Sequence, residues 1–454
     1  MTNPFSVNPI WRILYRLYRM VSWLRFRMQR RFTRTGLVLT GALVATAIMG
    51  PDIENNVTYQ AFTLLLFLLL VGMAFTCFFT ARFSARRRLP RFGTVGCPFT
   101  YRVALRNITS RPQSGLTFLE NLADVRPSFN EWHAQQLAEA RLVKPFRVSQ
   151  RHRTHPFRVA TLKDVPVPTA LPDEEVEVSG ELIPLRRGIL RFSGMTIARP
   201  DPLGLVRAFA TIPLSQTALI LPRRYPLPPI ALPGAMKYQE RGVALASNVG
   251  QSEEFIGLRD YRHGDPLRHI HWRSWAKVGR PVVKEFEDEF FVRHALVLDT
   301  FIDRINSEIF EEAVSVAASF ASTIQTQESL LDLLFVGTQS YCFTSGRGLA
   351  HADQMLEILA SVQPCPGRSF SALEHLVLNH VKVVSGCICV LVAWDEERRA
   401  FVEKLLKLGI PLRVMVIASP AAGKKIDPGP LRDDQEKFHV LELGQIEAGL
   451  AKLR

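Results

Sequence analysis

The sequence predicts a membrane-anchored α+β multidomain chain: a two-helix transmembrane hairpin, a β-sandwich-like domain, and a C-terminal α/β domain on a mostly parallel sheet. Three observations carry this reading. Residues Ala61 to Ala81 run for 21 positions without a charge. Between Pro90 and Pro233, short alternating apolar runs are broken by Pro, Gly and Asn. After Arg293, wholly apolar runs alternate with amphipathic helical ones.

The uncharged run, AFTLLLFLLLVGMAFTCFFTA, spans roughly 31 Å as a helix, about the thickness of a bilayer's hydrocarbon core. Gly36 to Gly50, GLVLTGALVATAIMG, is shorter and rich in small residues. Beside the longer run it reads as the second arm of a hairpin, helped by its flanks or by tilting of its neighbour. Arg25, Arg27, Arg30, Arg31 and Arg34 precede the first arm, and Arg82, Arg86, Arg87, Arg88 and Arg91 follow the second. The link, PDIENNVTYQ, has acids and no basic residue. The positive-inside rule then places both termini and the soluble domains in the cytoplasm, on a multi-pass inner-membrane protein. A cleaved signal peptide is not expected, because the apolar segment starts late and no small-residue cleavage site follows it.

The net charge of +14 sits mostly beside these segments: residues 1–91 hold thirteen Arg against Asp52 and Glu54, leaving the remaining chain nearly neutral. A nucleic-acid binder would carry its basic patch on the folded domain, so no nucleic-acid partner is expected. Within residues 1–35, Pro9 to Arg31 forms a basic amphipathic helix. Arg12, Arg16, Arg19 and Arg27 or Arg30 share one face; Ile13, Leu14, Leu17, Met20, Val21 and Leu24 crowd another; Trp11, Tyr15, Tyr18 and Trp23 lie near the border. Such a helix suits the inner-leaflet surface, and packing on the protein's own domain is the alternative. Of six Cys, none forms a CxxC pair or has zinc spacing. Cys387 and Cys389 share a strand face as expected buried thiols.

The expected organisation is an N-terminal helix (1–35), a hairpin (36–81), a β-sandwich-like domain (90–235), a motif region (236–290) and an α/β domain (291–454). In the β-domain, Phe99–Arg106 and Val176–Pro184 alternate as strands do, and Glu131–Val143 is helical. Pro226, Pro228, Pro229 and Pro233 form a stiff connector. In the last domain the expected strands are His294–Asp299, Leu330–Gly337, Gly386–Ala393, Ile410–Ile417 and Phe438–Leu443. The expected helices are Glu308–Thr326, Ala350–Val362, Phe370–His380, Glu396–Leu408 and Gln445–Leu453.

Two stretches form longer motifs. Arg186–Val206, RRGILRFSGMTIARPDPLGLV, contains Arg187, Gly188, Asp201, Pro202 and Gly204. Glu253–Glu287, EEFIGLRDYRHGDPLRHIHWRSWAKVGRPVVKEFE, contains Arg259, Tyr261, Gly264, Asp265, Pro266, Arg268, His271, Trp272 and Arg273. Gly264-Asp265-Pro266 is a turn signal, and the alternation after it fits a strand or the start of a short helix. The charges are too many for a core. They form either an ion-pair and turn network docking the motif onto the α/β domain or a partner-recognition or ligand surface. The His residues lack compact metal-ligand spacing.

Together the two stretches resemble the bacterial membrane proteins of the domain of unknown function 58 family. The resemblance implies that the first stretch belongs to the β-domain and that the second precedes a von Willebrand factor A-like domain. It also implies partners, since relatives are associated with MoxR-type AAA+ ATPases and with other von Willebrand A proteins. Von Willebrand A domains hold Mg²⁺ on a D-x-S-x-S loop with a later Thr and Asp. Here Asp299 matches the first Asp, Phe301 and Asp303 replace the two Ser, Ser369 stands for the Thr and Asp395 for the late Asp. Phe301 cannot ligate a cation, so the resemblance implies no cofactor, or Mg²⁺ at a modified site of Asp299, Asp303, Ser369 and Asp395.

No Walker P-loop is present, since Gly423-Lys424 lacks the upstream glycine and the hydroxyl residue; nor is a G-x-S-x-G or H-E-x-x-H motif. The leading expectation is therefore a non-enzymatic membrane-anchored interaction module. A divalent-cation or ligand sensor is the alternative, and a membrane-associated hydrolase the third reading.

Overall fold

The computed structural model describes residues 9–49, 56–123, 126–133, 136, 159–228, 255–263, 265, 267–286, 293–302, 307–324, 330–345, 349–420 and 426–453. They fall into two compact units, Met1–Leu221 and Pro222–Arg454.

The first unit opens with α1 (Pro9–Arg31), α2 (Arg34–Met49) and α3 (Asn56–Cys77). Helix α1 occupies the expected span. Among the described residues one helix segment, Val57–Cys77, has the length and composition of a membrane span, with mean hydropathy 2.1. Helix α2 is apolar but only about 24 Å long, so of the two expected spans one has a helix of full length and the other does not. The last part of the expected second arm, from Phe78 onward, leaves the helix, because strand β1 (Phe83–Arg88) begins immediately afterwards.

The rest of this unit is two sheets around one core. The first sheet has the order β1, β3 (Phe99–Asn107), β7 (Glu175–Pro184) and β5 (Ala160–Leu162). The second has the order β2 (Phe92–Thr94), β9 (Arg207–Leu221), β8 (Gly188–Pro200), β4 (Leu116–Leu122) and β6 (Val165–Val167). Strand β3 alternates as its sequence predicts: Phe99, Tyr101, Val103 and Leu105 point inward while Thr100, Arg102 and Arg106 face solvent. They meet Phe118, Leu190, Phe192, Met195 and Ile197 of the second sheet in one hydrophobic cluster. Within it lies a polar knot. Arg87 Nη2 donates to Glu120 Oε1 at 2.9 Å, and Tyr101 Oη to Glu120 Oε2 at 2.6 Å. The expected helix Glu131–Val143 is described only at its start; its remainder, like Pro229 and Pro233, lies outside the described residues.

The second unit contains a two-stranded sheet, β10 (Phe255–Asp260) with β11 (Val282–Phe286), enclosing a short helix α4 (Trp272–Val278). It also contains a six-stranded sheet of β12 (Arg293–Leu298), β13 (Leu330–Val336), β14 (Ser340–Ser345), β15 (Gly386–Leu391), β16 (Leu412–Ala418) and β17 (Phe438–Glu442). The order is β14-β13-β12-β15-β16-β17. All neighbours are parallel except β14, which pairs antiparallel with β13. Strands β12, β15 and β16 are buried almost throughout, as strands covered on both faces must be. Helix α5 (Glu308–Ile324) packs across β12, β15 and β16. Helices α7 (Ser371–His380) and α8 (Glu396–Lys407) contribute Leu373, Val377, Phe401, Val402 and Leu405 to a cluster with Val297, Leu334, Cys389 and Val414. Helix α6 (Leu349–Ser361) packs on α5, and α9 (Ile446–Leu450) on β17. Cys387 and Cys389 are buried with sulfurs 3.5 Å apart, whereas Cys77, Cys97 and Cys342 are exposed.

One core residue carries a pH dependence. His294 on β12 is buried, its Nδ1 has no hydrogen-bond partner among the described residues, and burial holds it down to about 4 from its ordinary 6.5. Between those values the unfolded chain takes up a proton that the folded one refuses. Stability therefore falls as pH drops from 6.5 toward 4, by about 3 kcal/mol for this group. Denaturant midpoints compared between near-neutral and acid pH should show a smaller acid loss for His294→Leu than for the unmodified chain.

Candidate functional site

Three places gather the singled-out residues, and each is built differently. In the first, the second motif forms the long loop of the β10–β11 hairpin. Arg259, on β10, makes a two-pronged ion pair with Asp265, Nη1 to Oδ2 at 2.7 Å and Nη2 to Oδ1 at 2.8 Å. The Arg262 amide adds a bond to Oδ2 at 2.7 Å. Those donors hold the Asp265 carboxyl down to about 2. The Tyr261 amide donates to the Pro281 carbonyl at 3.0 Å and the His271 amide to Val282 at 2.8 Å, so the loop is stitched to its own hairpin stem. His271 Nδ1 lies 2.7 Å from Ser274 Oγ. The open choice between strand and helix resolves as a 3₁₀ turn at Leu267–His269, whose backbone includes Arg268, followed by α4. Gly264 and Pro266 lie outside the described residues.

The braced loop presents side chains rather than burying them. Trp272 is 64% exposed and stacks on Trp275 at 5.2 Å, and Leu267 and Val278 are exposed as well. Both acids in the loop are paired, Asp265 with Arg259 and Asp260 with Arg280 at 3.1 Å. Arg262, Arg273 and Lys277 are exposed and make no ion pair among the described residues. The loop therefore displays aromatic, aliphatic and basic side chains together. The ion pairs lie within the hairpin itself, Arg259 with Asp265 and Arg280 with Asp260.

The second place is where the strand order reverses, between the carboxyl ends of β12 and β15, the usual ligand position in a doubly wound sheet. Asp299 is fully buried there. Its Oδ1 accepts from the Phe301 amide at 3.0 Å, and its Oδ2 from the Val392 amide at 3.2 Å and from Arg398 Nε at 2.6 Å. Arg398 also pairs with Asp395, which caps α8 by accepting from the Arg398 amide, and donates from Nη2 to the Phe301 carbonyl at 3.1 Å. Burial pushes the Asp299 carboxyl up, with Arg398 opposing. On Arg398 burial is outweighed by Asp299 and Asp395, and the guanidinium is held more firmly protonated. We read the pair as ionised, because every oxygen of Asp299 meets a donor. The structure thus joins Asp299 and Asp395 through an arginine. Ser369 instead bonds Ser371 at 2.9 Å at the start of α7, and Phe301 packs on Phe370. Asp303 lies outside the described residues. Sequence reasoning missed Arg398; its one signal was its position a single turn after Asp395.

The third place is the turn between β8 and β9, which holds most of the first motif. Asp201 folds the turn by accepting from the amides of Leu203 (3.2 Å), Leu205 (2.6 Å) and Val206 (2.7 Å). Gly204 adopts φ +68°, in the left-handed region, and Pro202 is exposed. Arg187 and Gly188 lie at the other end of β8. The turn seats on the helical hairpin. Thr35 donates to the Gly204 carbonyl at 2.8 Å, the Thr33 amide to Leu205 at 3.1 Å, and Phe32 bridges Val206. A side chain at Gly36 would collide with the Leu205 carbonyl, and one at Gly72 would meet the Asp201 carboxylate at 3.1 Å. This motif is therefore a latch between sandwich and helices.

The sequence profile described as protein of unknown function DUF58 matches residues 257–401, from β10 into α8. That segment contains both the braced loop and the Asp299–Arg398 pair. The chain is 28% identical over 187 residues to the uncharacterized protein YeaD of Bacillus subtilis (strain 168), covering 40% of this chain and 45% of YeaD. It therefore spans less than half the length of that curated relative. Solved structures matched over 31% of the chain include the CARDB domain of a Pyrococcus furiosus protein (11% identity, 89% of that domain) and a Listeria innocua β-glucosidase (14% identity, 16% of that chain). Both have TM-scores of 0.17, too low to bear on the fold.

Two outcomes follow from this geometry. Arg398→Ala strands a buried carboxylate and should cost the second unit about 3–5 kcal/mol, read as a lowered denaturant midpoint. Gly36→Val forces the latch apart and should cost about 1–3 kcal/mol, read as a lower melting temperature in mild detergent with Gly41→Val, which faces open space, as the control.

Proposed function

We propose that this chain is a membrane-anchored protein-interaction module whose partner-facing element is the braced loop between β10 and β11. The observation that carries the reading is the exposure of Leu267, Trp272 and Val278 in a loop that also exposes Arg262, Arg273 and Lys277, three cations with no ion pair among the described residues, on a stem stiffened by the Arg259–Asp265 pair. An apolar anchor inside a charged rim is how protein interfaces concentrate affinity. Helix α3 crosses the inner membrane with α2 alongside it, and the arginine-rich flanks keep both soluble units cytoplasmic. The six-stranded sheet is read as von Willebrand A-like: counted within the domain its order is 3-2-1-4-5-6, with an antiparallel third strand. From the resemblance, the partner is a MoxR-type AAA+ ATPase together with other von Willebrand A proteins, in assembly or maturation of envelope complexes. The role is binding rather than catalysis.

The alternative, a divalent-cation sensor, has less support. Arg398 already supplies the positive charge that a metal would bring to Asp299 and Asp395. A sensor would raise its melting temperature with Mg²⁺ or Mn²⁺ in a manner that Asp299→Ala abolishes; no such rise is expected.

The decisive experiment is crosslinking and affinity capture of the full chain in mild detergent, with and without nucleotide. Trp272→Ala combined with Lys277→Glu should reduce recovery of the ATPase roughly tenfold or more while leaving the melting temperature unchanged. Undiminished capture by that variant would remove the loop from the interface, and no ATPase under any nucleotide condition would remove the partner.

A further inference from the structure

Helix α1 has three faces with different chemistry, and the aromatic one makes most of the contacts with the described residues of its own domain. At about 100° per residue, Trp11, Tyr15 and Tyr18 share a narrow sector. They pack around Trp132 of the β-domain at 6.0, 5.6 and 5.9 Å between ring centres. Tyr15 Oη also donates to the Pro127 carbonyl at 2.8 Å, and Arg30 reaches the Glu120 carbonyl at 3.1 Å. The aromatic border of the helix is thus its inner face, clamped to its own domain.

A second sector holds Ile10, Ile13, Leu14, Leu17, Met20, Val21 and Leu24, at the spacing of a continuous apolar stripe. Every one of them is exposed, from 42% at Leu14 to 64% at Ile13. No residue of α1 is buried. A third sector holds Arg12, Arg16, Arg19, Arg27 and Arg30. The helix has seven arginines and no acid, and Arg12, Arg16, Arg19, Arg25, Arg27 and Arg31 make no ion pair among the described residues. Only Phe32 and Thr33 separate α1 from α2.

We infer that the aliphatic face of α1 lies in the headgroup layer of an anionic bilayer, holding the β-sandwich against the membrane that anchors it. This rests on the membrane-anchored reading above and adds a second, flat contact to it. Charge decides the occupant. A second copy pairing along the same stripe would bring two acid-free arginine faces together, whereas anionic headgroups complement them. Continuity supports the same choice, because the stripe joins, through two residues, the apolar helices whose lipid-facing side chains include Leu64, 59% exposed. The clamp on Trp132 orients the helix. With the aromatic face held by protein, rotation that would hide the stripe is blocked.

The test is photocrosslinking in the full chain, reconstituted in phosphatidylcholine bilayers with and without phosphatidylglycerol. Benzoylphenylalanine is placed at Leu17 on the stripe, at Tyr18 on the clamped face and at Leu64 on α3. The expected result is lipid adducts at Leu17 and Leu64 and an intramolecular adduct at Tyr18. The Leu17 lipid yield should rise severalfold with phosphatidylglycerol and fall severalfold in Arg12→Gln/Arg16→Gln/Arg19→Gln. Lipid adducts at Leu64 with none at Leu17 would overturn this inference and leave the anchor standing; none at either position would overturn both. Adducts from Leu17 to a second copy would replace the lipid surface with a dimer, and yields indifferent to phosphatidylglycerol would sink the anionic preference.

Discussion

The second unit depends on one buried ion pair. Asp299 ends the first strand of the six-stranded sheet, and its oxygens tie together the Phe301 amide, the Val392 amide beyond β15 and the Arg398 guanidinium of α8. An isolated charge at that depth would be prohibitively unfavourable, and pairing makes it tolerable only because every oxygen is bonded. The arrangement has a functional consequence. The crevice at the switch point is where an open α/β sheet normally receives a ligand, and here a tethered cation fills it. The hairpin that precedes the sheet is built the other way, with its acids paired and Leu267, Trp272 and Val278 exposed.

The first unit rests on a different constraint, close backbone approach. The turn built by Asp201 can seat on the helices because Gly36 and Gly72 have no side chains to hold it off. Hydrogen bonds from Thr33 and Thr35 then fix its depth. With α1 clamped by Trp132 and the hairpin latched by the Asp201 turn, the sandwich has two attachments to its helices. A domain attached twice has a defined attitude, whereas a domain on a single tether does not.

Much of the architecture was legible in the sequence, for local reasons. Period-two alternation in Phe99–Asn107, unbroken apolar runs in β12, β15 and β16, and the amphipathic span of α1 each reflect the surroundings of a single element. Strand β14 escaped because an exposed edge strand of Ser, Tyr, Cys and Thr carries no burial pattern. The strands β10 and β11 escaped for a similar reason, since their pairing brackets a loop whose charges dominate the reading.

The sequence by itself determined the strongly periodic elements, the basic flanks of the apolar helices and the two motifs, because periodicity, length and charge are properties of contiguous residues. Tertiary structure alone decided which of these meet. Arg398 lies 99 positions from Asp299, and Thr35 lies 169 from Gly204; no local pattern encodes such a pairing. It also decided which face of α1 is inner. Aromatic and aliphatic sectors are equally apolar in sequence, and only the position of Trp132 assigns one to protein and leaves the other exposed.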